Sequence, residues 1–180
     1  MADNSAGELI ARGLEARREG RLEDAWLLFR EAVHRCRKAK DAGMLSEALT
    51  GLGQVERDEG KTQAALRHYG EAVEVLRKEG DGRRLAHAIR HIADIEREHK
   101  NPVKAAADYE EALVLYRALE EIPALEMANA LRGYALLKGQ TGEDEEAKYL
   151  WYEAKALYEQ AGVEAGVAES QSHIAFLMGR

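Results

Sequence analysis

The 180-residue sequence contains one cysteine, two prolines and few aromatic residues, and these scarcities exclude several classes of protein. A lone cysteine, Cys36, cannot form an intramolecular disulfide, so nothing requires an oxidising compartment. No apolar run approaches the roughly 20 residues that span a bilayer, and the N-terminus lacks the pattern of a secretory signal. These absences predict a cytoplasmic protein that neither spans nor binds a membrane.

The charge balance excludes a second class of partner. The net charge is −7, and charged residues make up 33% of the chain against 46% hydrophobic residues. A nucleic-acid-binding protein needs a basic face, so the sequence predicts no nucleic-acid partner. The two prolines leave long stretches rich in Ala, Leu, Glu, Lys and Arg, which favour helices, and no period-two alternation indicates strands.

A repeat of about forty residues organises the chain. Small residues recur in steps of 40, 40, 42 and 40, namely Gly13, Gly53, Ala93, Ala135 and Ala175. Alanine and aromatic residues recur in steps of 40, 40 and 42, at Ala25, Ala65, Ala105 and Ala147, at Ala32, Ala72, Ala112 and Ala154, and at Phe29, Tyr69, Tyr109 and Trp151. One two-residue insertion near Ile122-Pro123 explains the longer step. Agreement of four columns predicts a repeat protein.

Each unit has the pattern of a helix, a tight turn and a second helix. In the second unit, Leu49, Leu52 and Val55 form one stripe of an amphipathic first helix. First helices are predicted to end in left-handed residues at Gly20, Gly60 and Gly142, and at Asn101-Pro102 in the third unit. The predicted second helices are Leu22–Lys38, Thr62–Lys78, Pro102–Leu119 and Asp144–Gln160.

These patterns predict an all-α fold, an α-α superhelix with four helix-turn-helix repeats and a C-terminal helix. Small residues let paired helices approach, and each aromatic fills the gap between its own pair and the next. Because one pair cannot bury such a face alone, the units must stack, which leaves a concave inner surface. The predicted single domain is 1–180, with repeats at about 5–42, 43–82, 83–122 and 125–162 and a terminal helix at 164–178.

The columns resemble those of the tetratricopeptide repeat family. The second unit carries them as Gly53, Gly60, Ala65, Tyr69 and Ala72, and the third as Ala93, Asn101, Ala105, Tyr109 and Ala112. The period of 40 exceeds the commoner 34, so the chain is similar to the longer repeats of kinesin light chains and cell-polarity adaptors. The resemblance implies a non-catalytic scaffold or adaptor that binds a protein or peptide segment in its concave groove, without a cofactor.

The resemblance also implies that the first helix of each pair lines this groove. Spacing around the small residues then selects the expected peptide-binding residues, which are Arg17, Glu47, Thr50, Gln54, Arg57, His87, Arg90, Asp94, Arg97, Asn129 and Arg132. Arginines outnumber carboxylates in this set, and their planar forks suit carboxylates, so the expected ligand is an acidic peptide. The alternative is that the arginines pair with neighbours, Arg90 with Asp94 and Arg57 with Glu56 or Asp58, and only solubilise the face.

One known ligand mode of the family, the clamp for the C-terminal carboxylate of chaperones, is disfavoured. The clamp needs Lys and Asn on the first helix, Asn on the next, and Lys and Arg on the third. The matching positions in this sequence hold Ile10, Leu14, Thr50, His87 and Arg90, of which only the arginine fits.

Chemistry other than peptide binding has weak support in the sequence. His87, His91 and Asp94 fall on one side of a helix, where histidines could hold a metal, but the charge of Arg90 would oppose a cation. Metal binding by these residues therefore ranks as a third alternative, and no metal site is predicted. No catalytic constellation or phosphate-binding loop emerges, and Cys36 is expected to be a buried apolar residue rather than a nucleophile.

The last helix offers a second interpretation of function. Its segment from His173 repeats an apolar stripe, yet Phe176 and Met178 add apolar surface where repeat arrays usually end in a polar face. Either this helix caps the array imperfectly, or it pairs with a second copy or another protein. The competing hypothesis is therefore a self-assembling structural module and homo-oligomer that uses this helix.

Overall fold

The computed structural model describes residues 5–179, so residues 1–4 and 180 of the predicted domain lie outside the described residues. Within 5–179 there are nine α-helices and no strand. The helices are α1 (Ala6–Arg18), α2 (Leu22–Ala39), α3 (Ala42–Asp58), α4 (Thr62–Glu79), α5 (Gly82–Glu98), α6 (Pro102–Arg117), α7 (Ala124–Thr141), α8 (Asp144–Gln160) and α9 (Glu164–Met178). The all-α fold is confirmed, and the predicted second helices end within two residues of α2, α4, α6 and α8.

Side-chain caps and left-handed residues set many of the helix ends. Ser5 and Glu8 form a capping box at the start of α1, with the Glu8 amide donating to Ser5 Oγ at 3.2 Å. Asp41 caps α3 by accepting from the Met44 amide at 2.9 Å. The predicted left-handed residues Gly20, Gly60 and Gly142 have φ of 76°, 74° and 83°, which confirms the turns that end α1, α3 and α7.

The prediction for the third unit was wrong by one residue. The left-handed residue after α5 is Lys100, with φ of 59°, whereas Asn101 has φ of −106°. The reason is the register, because Lys100 stands one period after Gly60 and two after Gly20. Asn101 instead donates its side-chain amide to Glu96 Oε2 at 3.1 Å and leaves the first turn of α6 without a side-chain cap.

The chain forms two compact units, one ending at Ala88 and one beginning at Ile89 within α5. In the first unit α1 packs on α2, α2 on α3 and α3 on α4. In the second unit α6 packs on α7, α7 on α8 and α8 on α9. Consecutive helices are therefore neighbours within each unit, and the single domain over 1–180 stays a prediction.

In the first unit, glycines of the first helices receive the rings of the second helices. A Cβ added to Gly13 or Gly53 would lie 3.0 Å from the Phe29 ring or 2.9 Å from the Tyr69 ring. A Cβ on Gly51 of α3 would lie only 2.3 Å from the same Phe29 ring. Phe29 therefore fills the space between its own helix pair and the next, as the repeat pattern predicted.

The second unit repeats this packing with tyrosines. A Cβ on Gly133 would lie 2.5 Å from the Tyr109 hydroxyl oxygen, and one on Gly166 would lie 2.5 Å from the Tyr158 ring. Gly51 and Gly133 stand two repeats apart, but His91 lies between them in the same column, so the repeat spacing alone does not predict this packing. Close helix approach in the second unit therefore depends on individual glycines that face tyrosine side chains.

The remaining predicted core residues have mixed outcomes. Cys36 is fully buried, as expected, and burial raises the pKa of its thiol. Trp151 and Tyr158 are buried, whereas Tyr152 is half-exposed. Tyr149 is 69% exposed.

Candidate functional site

In the first unit, the structure brings together two of the predicted groove residues, Arg17 of α1 and Gln54 of α3. Arg17 Nη1 donates to Gln54 Oε1 at 3.2 Å, and Arg17 Nε donates to Asp58 Oδ2 at 2.7 Å. This cluster joins the first helices of two successive repeats. Asp58 was not in the predicted set, although it lies one turn after Gln54 on the same helix.

The other predicted residues of the first unit do not form one cluster with Arg17. Thr50 donates its hydroxyl to the carbonyl of Ser46 at 2.8 Å, so this group serves its own helix. Glu47 is exposed, and Arg57 and His87 are half-buried. Surface exposure alone does not distinguish these three positions as ligand contacts.

In the second unit, Asp94 of α5 is the centre of a buried polar network. Arg90 Nη1 donates to Asp94 Oδ2 at 2.8 Å, and the Tyr109 hydroxyl donates to Asp94 Oδ1 at 2.6 Å. The other terminal nitrogen of Arg90, Nη2, lies 2.8 Å from His91 Nε2. The pairing of Arg90 with Asp94, which the alternative interpretation expected, is thus present.

Arg97 continues this network towards the end of α5. It interacts with the Tyr109 hydroxyl and lies 3.5 Å from Glu98, while its side chain is only 13% exposed. Within residues 5–179 its Nε is buried and has no hydrogen-bond partner. Burial raises the pKa of Tyr109, as does the charge of Asp94, so the hydroxyl stays protonated and keeps donating to Asp94.

A third cluster is formed by α7, α8 and α9. The Tyr158 hydroxyl donates to Asn129 Oδ1 at 2.8 Å. Arg132, one turn further along α7, donates from Nε and Nη2 to the two oxygens of Glu169, each at 2.7 Å. These hydrogen bonds to Glu169 raise the pKa of Arg132, and burial raises that of Tyr158.

Sequence reasoning selected Asn129 and Arg132 but missed Tyr158 and Glu169. Glu169 stands one period after Asn129, in the column that also holds Glu47 and His87, so the repeat spacing contained this signal. Tyr158 lies on a second helix, and its role follows only from packing against Gly166. Arg90, Asp94, Tyr158, Glu169 and Arg132 influence one another electrostatically, which places them in one polar region of the second unit.

The described residues do not support the metal alternative. Within 5–179, no group of three or more His, Cys, Asp and Glu side chains is arranged to hold a metal ion. The carboxylate that such a site would need, Asp94, bonds Arg90 and Tyr109. Over the same residues, no helix is long and apolar enough to cross a membrane.

Consecutive helix pairs with a forty-residue period are typical of helical repeat proteins. Residues 44–118 match the tetratricopeptide repeat family model. The resemblance predicted from the sequence is confirmed over these residues. Members of this family are generally non-catalytic scaffolds for protein–protein interaction, and the likeness to its long-period variety stays a prediction.

Two solved structures share the fold over nearly the whole chain. BtubC (BKLC) from P. vanneervenii is 18% identical, with a TM-score of 0.73 over 97% of this chain and 81% of that one. A Rap protein complexed with Competence and Sporulation Factor is 19% identical, with a TM-score of 0.79 over 96% of this chain and 48% of that one. The chain thus spans about half the length of the Rap protein. No curated protein sequence matches the chain.

Proposed function

We propose that the chain is a scaffold that binds an acidic peptide segment at the polar face formed by Asn129 and Arg132 in the second unit. The coarser function, a protein–protein interaction scaffold, agrees with the family of residues 44–118. The Rap protein of similar fold is in complex with Competence and Sporulation Factor, which supports a protein or peptide ligand. The binding mechanism is recognition by a preformed surface rather than bond-making chemistry.

The oriented amide of Asn129 is the observation that carries this proposal. Because the Tyr158 hydroxyl donates to Oδ1, the orientation of the amide is fixed and Nδ2 is left as its donor. Within the described residues Nδ2 has no hydrogen-bond partner, and Asn129 is half-buried. An amide fixed in this way suits the carbonyl of an extended peptide or a carboxylate.

Arg132 supplies the preference for an acidic ligand. Its side chain is 40% exposed, so a ligand carboxylate can reach the guanidinium that Glu169 now engages. An exposed Arg–Glu pair contributes about 0–1 kcal/mol, so exchanging Glu169 for a ligand carboxylate costs little. Arg90 is less suitable because it is nearly buried and already bonded to Asp94 and His91.

Selection from a displayed library of random peptides tests the proposal directly. We expect the wild-type chain to select peptides enriched in Asp and Glu, and Asn129→Ala and Arg132→Gln to weaken the selected peptides by about tenfold, since hydrogen bonds to charged groups contribute about 1.5–3 kcal/mol. Binding is measured by isothermal titration calorimetry.

Arg117→Gln is the matched control for Arg132→Gln. Arg117 of α6 also holds a carboxylate of a neighbouring repeat, with Nη2 at 2.9 Å from both oxygens of Glu153. Arg117→Gln removes the same kind of ion pair as Arg132→Gln, but this pair joins second helices, away from the proposed site on the first helices. The affinity for peptides should therefore be unchanged. Equal affinity of all four proteins, or selection of basic peptides, would contradict the proposed function.

A further inference from the structure

We propose that the open cavity of about 610 Å³ between the ends of α5 and α7 and the start of α6 is a carboxylate-binding site. Arg97 and Lys100 supply its positive charge, and Pro102 and Leu137 supply apolar wall. The expected ligand is a carboxylate next to an apolar side chain, borne by the partner peptide. In that last respect alone the inference rests on the proposed function.

Arg97 is a nearly buried cation that lacks a close carboxylate partner. Arg17, Arg90 and Arg132 each have a carboxylate oxygen within 2.8 Å, whereas the nearest one to Arg97, on Glu98, is 3.5 Å away. Its side chain is nevertheless almost buried, and its Nε lacks a partner within residues 5–179. Since a nearly buried cation without a close carboxylate is costly, a ligand carboxylate at the exposed part of the guanidinium would compensate its charge.

The backbone at Lys100 provides a second and independent observation. Lys100 stands in the column of Gly20, Gly60 and Gly142, where φ is positive in every repeat. A lysine at φ of 59° is strained, whereas glycine adopts this conformation freely. Lys40 has the same left-handed backbone, but of these two lysines only Lys100 lines the cavity, where it supplies positive charge.

The remaining surroundings of the cavity agree with a small acidic group. Gln140 lines it with a neutral polar side chain, and Glu98 is its one acidic lining residue among those described. The start of α6 lies at the same cavity, through Pro102, and carries no side-chain cap. Lys104 and Asn101 are both engaged by Glu96 and do not compete for the ligand.

Three short peptides distinguish a side-chain carboxylate from a chain-terminal carboxylate as the ligand. Acetyl-Leu-Glu-Leu-amide presents a side-chain carboxylate, acetyl-Leu-Gln-Leu presents a chain-terminal one, and acetyl-Leu-Gln-Leu-amide presents neither. Each is titrated into the full chain labelled with nitrogen-15, and the Nε–H resonance of Arg97 is followed by NMR. The resonance is assigned by its disappearance in Arg97→Lys. We expect at least one carboxylate peptide to move it downfield and the neutral peptide to leave it in place.

A pair of glycine variants tests Lys100 without risk of misfolding. Lys40, after α2, has φ of 57° and the same exposed character, but it does not line the cavity. Lys100→Gly and Lys40→Gly should both raise the melting temperature, because both relieve a left-handed lysine. Only Lys100→Gly should weaken the carboxylate peptide, by about three- to fivefold.

Several results would overturn the site. These are an Arg97 resonance that no carboxylate peptide moves, one that the neutral peptide moves equally, and equal weakening by both glycine variants. If displayed peptides depend on Asn129 while the Arg97 resonance stays in place, the proposed function stands and the carboxylate site is wrong. If the Arg97 resonance responds but no displayed peptide depends on Asn129, the carboxylate site stands and the proposed function is contradicted.

Discussion

At the scale of single residues, the value of a glycine depends on what its missing side chain would meet. Gly133 and Gly139 lie on the same helix, α7, but only Gly133 faces the Tyr109 side chain. Around Gly139 there is nothing within 4 Å of an added Cβ. The contact with Tyr109 therefore identifies Gly133 as a packing residue, whereas Gly139 has no such contact.

Alanine substitutions at these two glycines should therefore have opposite effects. We expect Gly133→Ala to destabilise the chain by about 1–3 kcal/mol, because the new methyl group displaces Tyr109. Gly139→Ala should stabilise it by about 0.5–1 kcal/mol, because alanine is the better helix former. Urea unfolding followed by far-UV circular dichroism measures both changes. A loss of stability on Gly139→Ala, or none on Gly133→Ala, would disagree with this packing.

At the scale of elements, α6 and α7 are joined by a pair of tyrosines. The rings of Tyr109 and Tyr134 stack with centroids 5.6 Å apart, and the Tyr134 hydroxyl donates to Glu110 Oε1 at 2.6 Å. Burial, together with the hydrogen bond and charge of Glu110, raises the pKa of Tyr134 from 10.0 to about 12. This helix contact therefore requires the neutral phenol.

The raised pKa makes stability depend on alkaline pH. Between about pH 10 and pH 12 the unfolded chain loses the Tyr134 proton while the folded chain retains it, so the free energy of unfolding falls as pH rises. Tyr134→Phe should lower stability by about 1 kcal/mol at neutral pH, through the lost hydrogen bond, but should flatten the fall at alkaline pH.

Thermal melts at several pH values between neutral and strongly alkaline measure this dependence. Tyr149→Phe is the control, because Tyr149 is largely exposed, and it should follow the wild-type curve. A Tyr134→Phe chain whose stability falls as steeply as that of the wild type would mean that other groups govern the alkaline transition.

At the scale of the whole molecule, the last helix raises the question of self-association. Phe176 and Met178 of α9 are 59% and 67% exposed, and Tyr152 of α8 extends the same region by contacting Met178 Sδ at 3.7 Å. An exposed apolar patch of this kind favours contact with another protein surface. This observation keeps the self-assembling module as a second candidate function.

Light scattering after size-exclusion chromatography measures self-association directly. If α9 pairs two copies, the wild-type mass should rise with concentration, and Phe176→Ser/Met178→Ser should stay monomeric. Val103→Ser/Val114→Ser, two exposed apolar positions on α6, is the control and should behave as the wild type. A wild-type chain that is monomeric at every concentration would remove this candidate.

The repeat and the bounds of the second helices could be predicted from the sequence, because caps, apolar stripes and small residues act over a few neighbouring positions. Even the misplaced turn after α5 follows from the register, which puts Lys100 in the column of Gly60. The partners of the arginines could not be predicted in this way, since Arg17 bonds Asp58 and Arg132 bonds Glu169 from 41 and 37 residues away in the chain. Which of several carboxylates a long arginine side chain bonds depends on how the helices that carry them pack together. Likewise, a cavity formed by the ends of three helices exists only once those helices are packed.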